Sequence, residues 1–150
     1  MIYLSEIAAY FWHRWGAHTN ILPYIPATHH IHHTDINDDG YADFFYIYML
    51  LFVYLIVLIF LYYSNYIDLI SSIILYLTVF SVFIWNWYVH KSYHTENHWL
   101  NKYEWFQNDK RIHFQHHENP ETNYGIATHF TDVVLNTFDY GFPANKFLSI

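Results

Sequence analysis

The chain of 150 residues contains no cysteine, and this absence narrows its chemistry. Disulfide frameworks, thiolate zinc sites, iron–sulfur clusters and cysteine nucleophiles are all excluded. Any metal ion must therefore be held by nitrogen or oxygen atoms. Charge is scarce as well, because charged residues make up 13% of the chain, about half the share usual in soluble globular proteins. So little charge cannot coat a water-facing surface, and hydrophobic residues reach 54%.

Lysine and arginine together number only 6, whereas there are 13 histidines. The formal net charge is −7 and the sequence has no basic cluster, which argues against a nucleic-acid partner because neutralising phosphates requires many cations. Histidine is mostly neutral at pH 7 and binds metal ions well. The commonest basic side chain of this protein is therefore one that suits a metal site.

Two long uncharged runs predict a membrane-embedded helical hairpin. They comprise residues 44–63 and residues 69–89, and a short segment separates them. At the helical rise per residue, runs of this length span about 30 Å, the thickness of the hydrocarbon core of a bilayer. Neither run has a polar face to show to water, which disfavours a pair of helices buried in a soluble bundle.

The few cations predict how the hairpin is oriented. All of them lie outside the two runs, on the open side of the hairpin: Arg14, Lys91, Lys102, Lys110, Arg111 and Lys146. By the positive-inside rule, the termini and the histidines are expected to face the cytoplasm.

The predicted fold class is all-α, an integral membrane helical hairpin with a cytoplasmic helical histidine-box metal domain, in a single domain of residues 1–150. Residues 1–12 predict a helix too short to span, and residues 131–138 predict a final helix.

Ten of the histidines form four boxes, two on each side of the hairpin. Residues 13–33 contain an H-x4-H box and an H-x-x-H-H box, and residues 90–117 contain an H-x3-H box and a second H-x-x-H-H box. On an α-helix, residues i, i+3 and i+4 share one face, so two or three imidazoles at these spacings are expected to converge on one point. His13 and His18 are five apart and need a helix end or bulge near Gly16 to come together.

The four boxes predict a metal site with two ions, because ten ligands exceed what one ion can take. Each ion would have about five nitrogens, or one fewer where a position stays open, and imidazole suits iron, zinc, copper and nickel alike. The candidate metal ligands are His13, His18, His29, His32, His33, His90, His94, His113, His116 and His117.

Other polar residues near the boxes are candidates for supporting roles. Carboxylates are expected to hydrogen-bond the second ring nitrogen of the ligands, and four of them lie beside the boxes: Asp35, Asp38, Asp39 and Glu118. The remaining histidines, His30, His98 and His129, are interpreted as supporting or solvent-facing side chains.

The order of these motifs resembles the fatty acid hydroxylase/sterol desaturase superfamily and is most similar to fatty acid 2-hydroxylases. The shared features are the four boxes around the hairpin, a first box that begins His13-Arg14, the segment 123–128 (NYGIAT) and the segment 131–138 (TDVVLNTF). The resemblance covers residues 6–138. The chain departs from the pattern because it begins only twelve residues before His13, where the family usually has another membrane pair, and because it has no fused cytochrome b5 domain. We therefore expect a minimal or an incomplete version.

The resemblance implies an integral-membrane, non-haem oxygenase with two iron ions, for which zinc can substitute in purified protein. It implies that the ten histidines are the ligands, that O2 is a co-substrate, and that a separate cytochrome b5 or ferredoxin-type protein donates two electrons. It also implies a lipid substrate, with hydroxylation of an acyl C–H bond as the reaction. Desaturation of a lipid and hydroxylation of a carotenoid stay open, the latter because the compact size and first box also resemble bacterial carotenoid hydroxylases.

Functions of other classes are less compatible with the sequence. A metal transporter would place ionisable ligands inside its spans, yet both spans lack histidine until His90. A bis-histidine haem protein needs only paired axial ligands, and a di-zinc hydrolase would usually mix carboxylates into its ligand set. A membrane metal-binding protein without oxygenase activity stays open.

The absence of cysteine makes the predicted orientation easy to test. We expect a single cysteine at the tip of the hairpin, Tyr66→Cys, to react with a membrane-impermeant maleimide on intact cells. A single cysteine at Glu121→Cys is expected to react only after the membrane is permeabilised. Labelling of both positions, or of the second alone, on intact cells would contradict the orientation.

Overall fold

The computed structural model of the chain describes residues 2–19, 25–35, 38 and 41–141, with side chains in 6–19, 28–35, 38 and 48–141. Asp39 and Lys146 lie outside these residues. Every regular element within the described part is a helix: α1 (Ile2–Phe11), a π-helix (Trp12–Ala17), α2 (Ile25–Thr34), α3 (Tyr41–Tyr63), α4 (Leu69–Tyr93), a short 3-10 helix (Trp99–Lys102), α5 (Glu104–Glu118) and α6 (Phe130–Val134). The all-α prediction is thereby confirmed.

Helices α3 and α4 form the predicted hairpin and pack against each other. Asn65 takes a left-handed conformation in the turn, with φ of 59°. Asp68 then caps α4, because its carboxylate accepts the backbone N–H of Ser71 at 2.9 Å and the Ser71 hydroxyl at 2.6 Å. A capped start fixes where α4 begins and closes the turn between the two helices.

Helix α4 is long and apolar enough to cross a membrane, judged by its length and composition. Within α3, the part with described side chains, Tyr48–Tyr63, is apolar but shorter. Many large side chains of the hairpin point outward, and examples are Phe60 at 65% and Ile70 at 70% exposure. Contiguous apolar surface of this extent is costly in water, so it marks a surface that another apolar phase covers.

The polar side chains in the middle of α4 are satisfied within the helix itself. The hydroxyls of Thr78 and Ser81 each donate to the carbonyl one turn earlier, at 2.7 Å. Such internal bonds suit a helix in lipid, where no water is present to take their place.

The core lies beyond the open end of the hairpin. Val89 and Tyr93 of α4 pack with Leu100 and Phe106, and each of these four side chains is almost completely buried. The sequence predicted that the second apolar run ends at residue 89, but α4 continues to Tyr93. Its last turn stays helical because Val89 and Tyr93, spaced i and i+4, lie on the face that packs against this core.

The final helix is shorter than predicted, since α6 comprises only Phe130–Val134 rather than residues 131–138. Asn136 adopts a left-handed conformation with φ of 56°, which ends the helical path. The backbone N–H of Thr137 then turns back to the carbonyl of Asp132 at 2.8 Å. By contrast, α1 together with the first residue of the π-helix confirms the helix predicted over residues 1–12, within the described part.

The side chain of Phe106 is fully buried, so replacing it tests the assigned core. We expect Phe106→Ala to lower the free energy of unfolding by about 3–5 kcal/mol, through lost burial and the cavity left behind. Thermal unfolding in detergent measures the effect. The neighbouring Trp105→Ala is the control, because Trp105 is 46% exposed and should matter little. Equal destabilisation by both variants would contradict the assigned core.

Candidate metal centre

The first box is built on the π-helix that follows α1. In a π-helix the backbone bonds run from i to i+5, and here the N–H of His18 donates to the carbonyl of His13 at 3.2 Å. Two residues five apart therefore lie on the same face, and the ring centroids of His13 and His18 are 5.1 Å apart. The bulge predicted near Gly16 is confirmed. A side chain at Gly16 would press on the Trp12 ring, 3.0 Å from an added Cβ.

The ten predicted histidines come together in two adjacent groups. In the first group the candidate ligand atoms all lie within 4.8 Å of one another, and its members are His13, His18, His29, His33 and His116. The second group has four members that meet the same limit: His32, His94, His113 and His117. His90 joins this second group, because its Nε2 lies 3.1 Å from the Nε2 of His32 and its ring centroid lies 4.7 Å from that of His113.

Each H-x-x-H-H box divides between the two groups. His29 and His33 enter the first group, whereas His32 of the same box enters the second. Of the two or three imidazoles expected to converge, the pair at i and i+4 does so, while the histidine at i+3 does not. The reason is that consecutive helical residues are about 100° apart around the axis, so positions i+3 and i+4 lie on opposite sides of position i.

The two groups have the same plan. Each contains a pair from an H-x4-H or H-x3-H box, an i, i+4 pair from one H-x-x-H-H box, and the single middle histidine of the other. His116 and His32 are these exchanged members. The groups touch where the rings of His33 and His117 stack, with centroids 4.4 Å apart. The H-x-x-H-H box on α2 and the one on α5 thus each contribute two histidines to one group and one histidine to the other.

Backbone carbonyls orient three of the rings. The Nδ1–H of His13 donates to the carbonyl of Tyr124 at 2.7 Å, and that of His116 donates to the carbonyl of Thr122 at 2.6 Å. The Nδ1–H of His32 donates to the carbonyl of Asp38 at 2.9 Å. The sequence analysis expected carboxylates in this role, but the acceptor in these three contacts is a peptide oxygen, and Asp38 contributes its main chain. A proton held on Nδ1 leaves the Nε2 lone pair free for a metal ion.

The facing Nε2 atoms fit a cation between them. The Nε2 atoms of His13 and His116 are 3.1 Å apart, yet both rings carry their proton on Nδ1, so the two lone pairs face each other. Burial, and then neighbouring histidines, lower the pKa of His13 to about 3, and the same causes lower that of His18 to about 3. The rings are therefore neutral at pH 7. Two opposed lone pairs repel each other, and a metal ion between them would turn that repulsion into two bonds.

Burial has the same effect on several other rings of the two groups. Burial is the main cause that lowers the pKa of His33 to about 3, and it also lowers the pKa values of His113, His116 and His117 far below the ordinary histidine value. All of these imidazoles are ready to bind a metal ion without first losing a proton at neutral pH.

The comparisons with known proteins agree with this geometry. The model of the fatty acid hydroxylase family matches residues 1–137, a range that contains the hairpin and all four boxes. The chain belongs to the fatty acid hydroxylase family. No curated protein and no solved structure matches it. The resemblance to the superfamily is confirmed, while the closer similarity to 2-hydroxylases stays a prediction.

An aspartate that the sequence analysis did not single out supports the candidate metal centre. Asp132 is fully buried, and its carboxylate accepts the backbone N–H groups of Tyr124 at 2.8 Å and Gly125 at 2.7 Å and the hydroxyl of Thr137 at 2.9 Å. It thereby fixes the peptide whose carbonyl binds His13. No spacing rule finds such a residue, because two of its partners are main-chain groups, and only the motif in segment 131–138 pointed to it.

The hydrogen bonds of Asp132 to Tyr124, Gly125 and Thr137 form a clamp. The space inside it explains why a glycine occupies position 125. A Cβ at Gly125 would collide with the carbonyl oxygen of Thr128 and come within 2.8 Å of the Asp132 carboxylate. Glycine therefore allows the loop to close over the carboxylate. The clamp is tied to α1 as well, because the hydroxyl of Tyr10 bonds to that of Thr137 at 2.9 Å.

A cavity of about 80 Å³ adjoins both groups of histidines. It lies between α1, the π-helix and the hairpin. Most of its lining is apolar, including Trp12, Leu50 and Phe83. The imidazoles at its wall come from both groups: His13 and His29 from the first, His90 from the second. A hydrocarbon segment in this cavity would lie beside both candidate metal positions.

The three histidines left outside the ligand set have other surroundings. His30 is exposed on α2. His98 starts the 3-10 helix, where its Nδ1 accepts the backbone N–H of Leu100 at 3.3 Å. His129 lies 3.7 Å from a carboxylate oxygen of Asp109 and 3.9 Å from one of Asp132. The structure places none of these three in either group.

The role of Asp132 can be tested by a change that keeps its size. Asp132→Asn replaces one acceptor oxygen by an N–H donor, so one main-chain N–H of the clamp loses its partner. We expect metal affinity to fall about 10- to 100-fold, as is typical when a group that orients a ligand is lost. Metal retained during titration with a chelator measures this. Glu121→Gln, an exposed carboxylate in the preceding loop, is the matched control. Retention equal to that of the unaltered protein would contradict the role of the clamp.

Proposed function

We propose that this protein is an integral-membrane oxygenase that hydroxylates a C–H bond of a lipid acyl chain, with O2 and two electrons. The observation that carries the proposal is the cavity that joins an apolar wall to imidazoles of both histidine groups. Membership of the fatty acid hydroxylase family supports the same reaction class.

The substrate class requires a metal centre. An alkyl C–H bond has no polarity for acid–base catalysis to use, so the reaction needs an oxidant stronger than any side chain. Each histidine group would hold one iron ion, and the bound iron would supply that oxidant from O2. Overall, the substrate C–H bond, O2, two electrons and two protons give an alcohol and one water molecule.

In this proposal the residues of the chain hold, orient and shield the centre. The Nε2 atoms bind the metals, and the Nδ1–H bonds to the carbonyls of Tyr124, Thr122 and Asp38 fix the ring orientations. A ligand set made of imidazoles is neutral, so it would leave a bound metal pair strongly cationic. The apolar cavity wall excludes water and aligns the chain against the centre. Zinc can occupy the same nitrogen sites, because imidazole does not discriminate strongly between these metals.

The hairpin supplies access from the bilayer. Its exposed apolar side chains suit a lipid phase, and α4 runs without a break from this surface to His90 at the cavity. We propose that both helices of the hairpin are embedded, that the histidines and termini face the cytoplasm, and that the acyl chain enters the cavity from the membrane side. A separate cytochrome b5 or ferredoxin-type protein is the proposed electron donor.

The metal centre and the reaction are tested together. We expect protein expressed with iron and purified in detergent to hold two irons per chain with the Mössbauer signature of a coupled pair. With a reductase and an electron donor, one atom from isotopically labelled O2 should enter an acyl lipid. His116→Ala removes the exchanged ligand of the first group and should lower both iron content and turnover, at least tenfold for turnover.

His30→Ala is the matched control, because His30 belongs to the same kind of box but is exposed. It should keep its iron and its activity. Well-folded protein that holds one iron or none would contradict the proposed centre. Product that has lost two hydrogens without gaining oxygen would identify a desaturase instead, since the two reactions share an oxidant and differ in how the target carbons are aligned.

A further inference from the structure

Five aromatic side chains form a continuous belt beside the open end of the hairpin. Trp85 and Tyr88 lie one turn apart on α4, with ring centroids 6.0 Å apart. The indole N–H of Trp99 donates to the hydroxyl of Tyr88 at 2.7 Å, and its ring centroid lies 5.9 Å from that of Tyr103. The ring of Tyr103 in turn stacks with that of Trp105 at 6.3 Å. This aromatic belt links α4 to the 3-10 helix and to the start of α5.

The outer side of the aromatic belt is open, whereas its inner side is anchored. Trp85 is 48% exposed, Trp99 55% and Trp105 46%. Leu100 and Phe106, which belong to the same stretch of chain, are buried in the core. Large rings side by side at the surface mark a place where a partner covers them.

The level of the aromatic belt along α4 indicates which partner this is. From Leu69, where α4 begins, to Tyr88 the helix rises about 28 Å. This length nearly equals the hydrocarbon thickness of a bilayer. A hairpin embedded from its tip along the bilayer normal therefore places Tyr88 where the hydrocarbon ends and the headgroups begin. Trp99 lies at the same level, because it is hydrogen-bonded to Tyr88.

The chemistry of the aromatic belt matches the headgroup layer. Indole and phenol rings combine an apolar body with a polar N–H or O–H group, which is why Trp and Tyr are enriched at membrane–water interfaces. The ammonium of Lys102 lies 5.4 Å from the ring centre of Trp99 and 4.9 Å from that of Tyr103, so its stem lies along the rings while its charge reaches water. Glu96 and Glu104 are exposed in the same stretch, so the rings rather than a net positive charge would hold it to lipid.

We propose that the aromatic belt inserts into the headgroup layer at the open end of the hairpin and anchors the histidine groups against the bilayer. This inference rests on the proposed function, because it requires that the hairpin is embedded. The core transmits the anchor to the site. The ring of Phe106 packs against that of Tyr93, with centroids 5.1 Å apart, and Tyr93 stacks on His113 of the second group, also at 5.1 Å.

Because the chain has no cysteine, the depth of single positions can be measured in the full-length protein. A nitroxide spin label is attached to Glu104→Cys, an exposed position between two residues of the belt, in phosphatidylcholine vesicles. Its collisions with oxygen, which concentrates in lipid, are compared with its collisions with a water-soluble nickel chelate. Ile74→Cys, 58% exposed on α4, marks the hydrocarbon, and the exposed Glu121→Cys marks water. We expect the label at position 104 to lose most of the nickel collisions seen at position 121 while it keeps its collisions with oxygen.

Substitutions in the aromatic belt test the cause of this depth. Trp99→Ser combined with Trp105→Ser should raise the nickel collisions at position 104 to the level at position 121. Trp99→Tyr combined with Trp105→Tyr is the matched control and should keep the label shielded, since tyrosine also suits the interface. Thermal unfolding and the labels at positions 74 and 121 report whether each pair of substitutions folds. The measurement on the otherwise unaltered chain stands by itself if the serine pair does not fold.

Nickel collisions at position 104 equal to those at position 121, with position 74 shielded, would overturn the inference and leave the embedded hairpin intact. Few collisions with either reagent at position 104 would also overturn it, because a protein surface, such as a second copy of the chain, would then cover the belt. A shielded label in a folded serine pair would show that the rings are not the anchor. Nickel access at position 74 would refute the embedded hairpin itself, and this inference with it.

Discussion

The convergence of imidazole Nε2 atoms on two neighbouring points is the interaction on which the rest of this structure depends. Rings from the π-helix, α2, α4 and α5 bring their lone pairs together in a buried space. Neutral rings whose lone pairs face one another have no attraction of their own, so they need either a cation or a rigid frame. The chain supplies the frame by tying Nδ1 atoms to main-chain carbonyls, for example His116 to Thr122 and His13 to Tyr124. Main-chain acceptors suit this role because a folded backbone moves less than a side chain.

That frame extends well beyond the ligands. The carbonyl of Tyr124 is in place because Asp132 holds the neighbouring N–H groups, and Asp132 is in place because a short helix and Thr137 close around it. Gly125 allows the loop to approach the carboxylate. A segment that contributes no histidine to either group is in this way required for the orientation of His13. The segment 123–137 is therefore part of the candidate metal centre, although it lies outside the histidine boxes.

One helix connects the apolar surface to the site. Helix α4 begins at the capped turn after Asp68, passes through the exposed apolar stretch and ends beyond His90, with its last turn anchored in the core by Tyr93. Because His90 and the exposed apolar surface belong to one continuous helix, they cannot shift independently. The cavity lies where this helix meets α1 and the π-helix, so its apolar wall and its imidazoles are fixed relative to each other.

The sequence by itself determined the helical class, the two apolar runs, the identity of the ten histidines that meet and the bulge between His13 and His18. These features follow from periodicity and composition, which act over a few residues and can be read along the chain. Only the tertiary structure decided which histidines lie together. His32 joins the group that contains His113 and His117, and His116 joins the group that contains His29 and His33. It also decided that peptide carbonyls orient three of the rings, that Asp132 binds the backbone N–H of Tyr124, and that residues of α1, the π-helix and the hairpin line one cavity. Each of these depends on partners far apart in the chain, and spacing carries no information about a partner on another element.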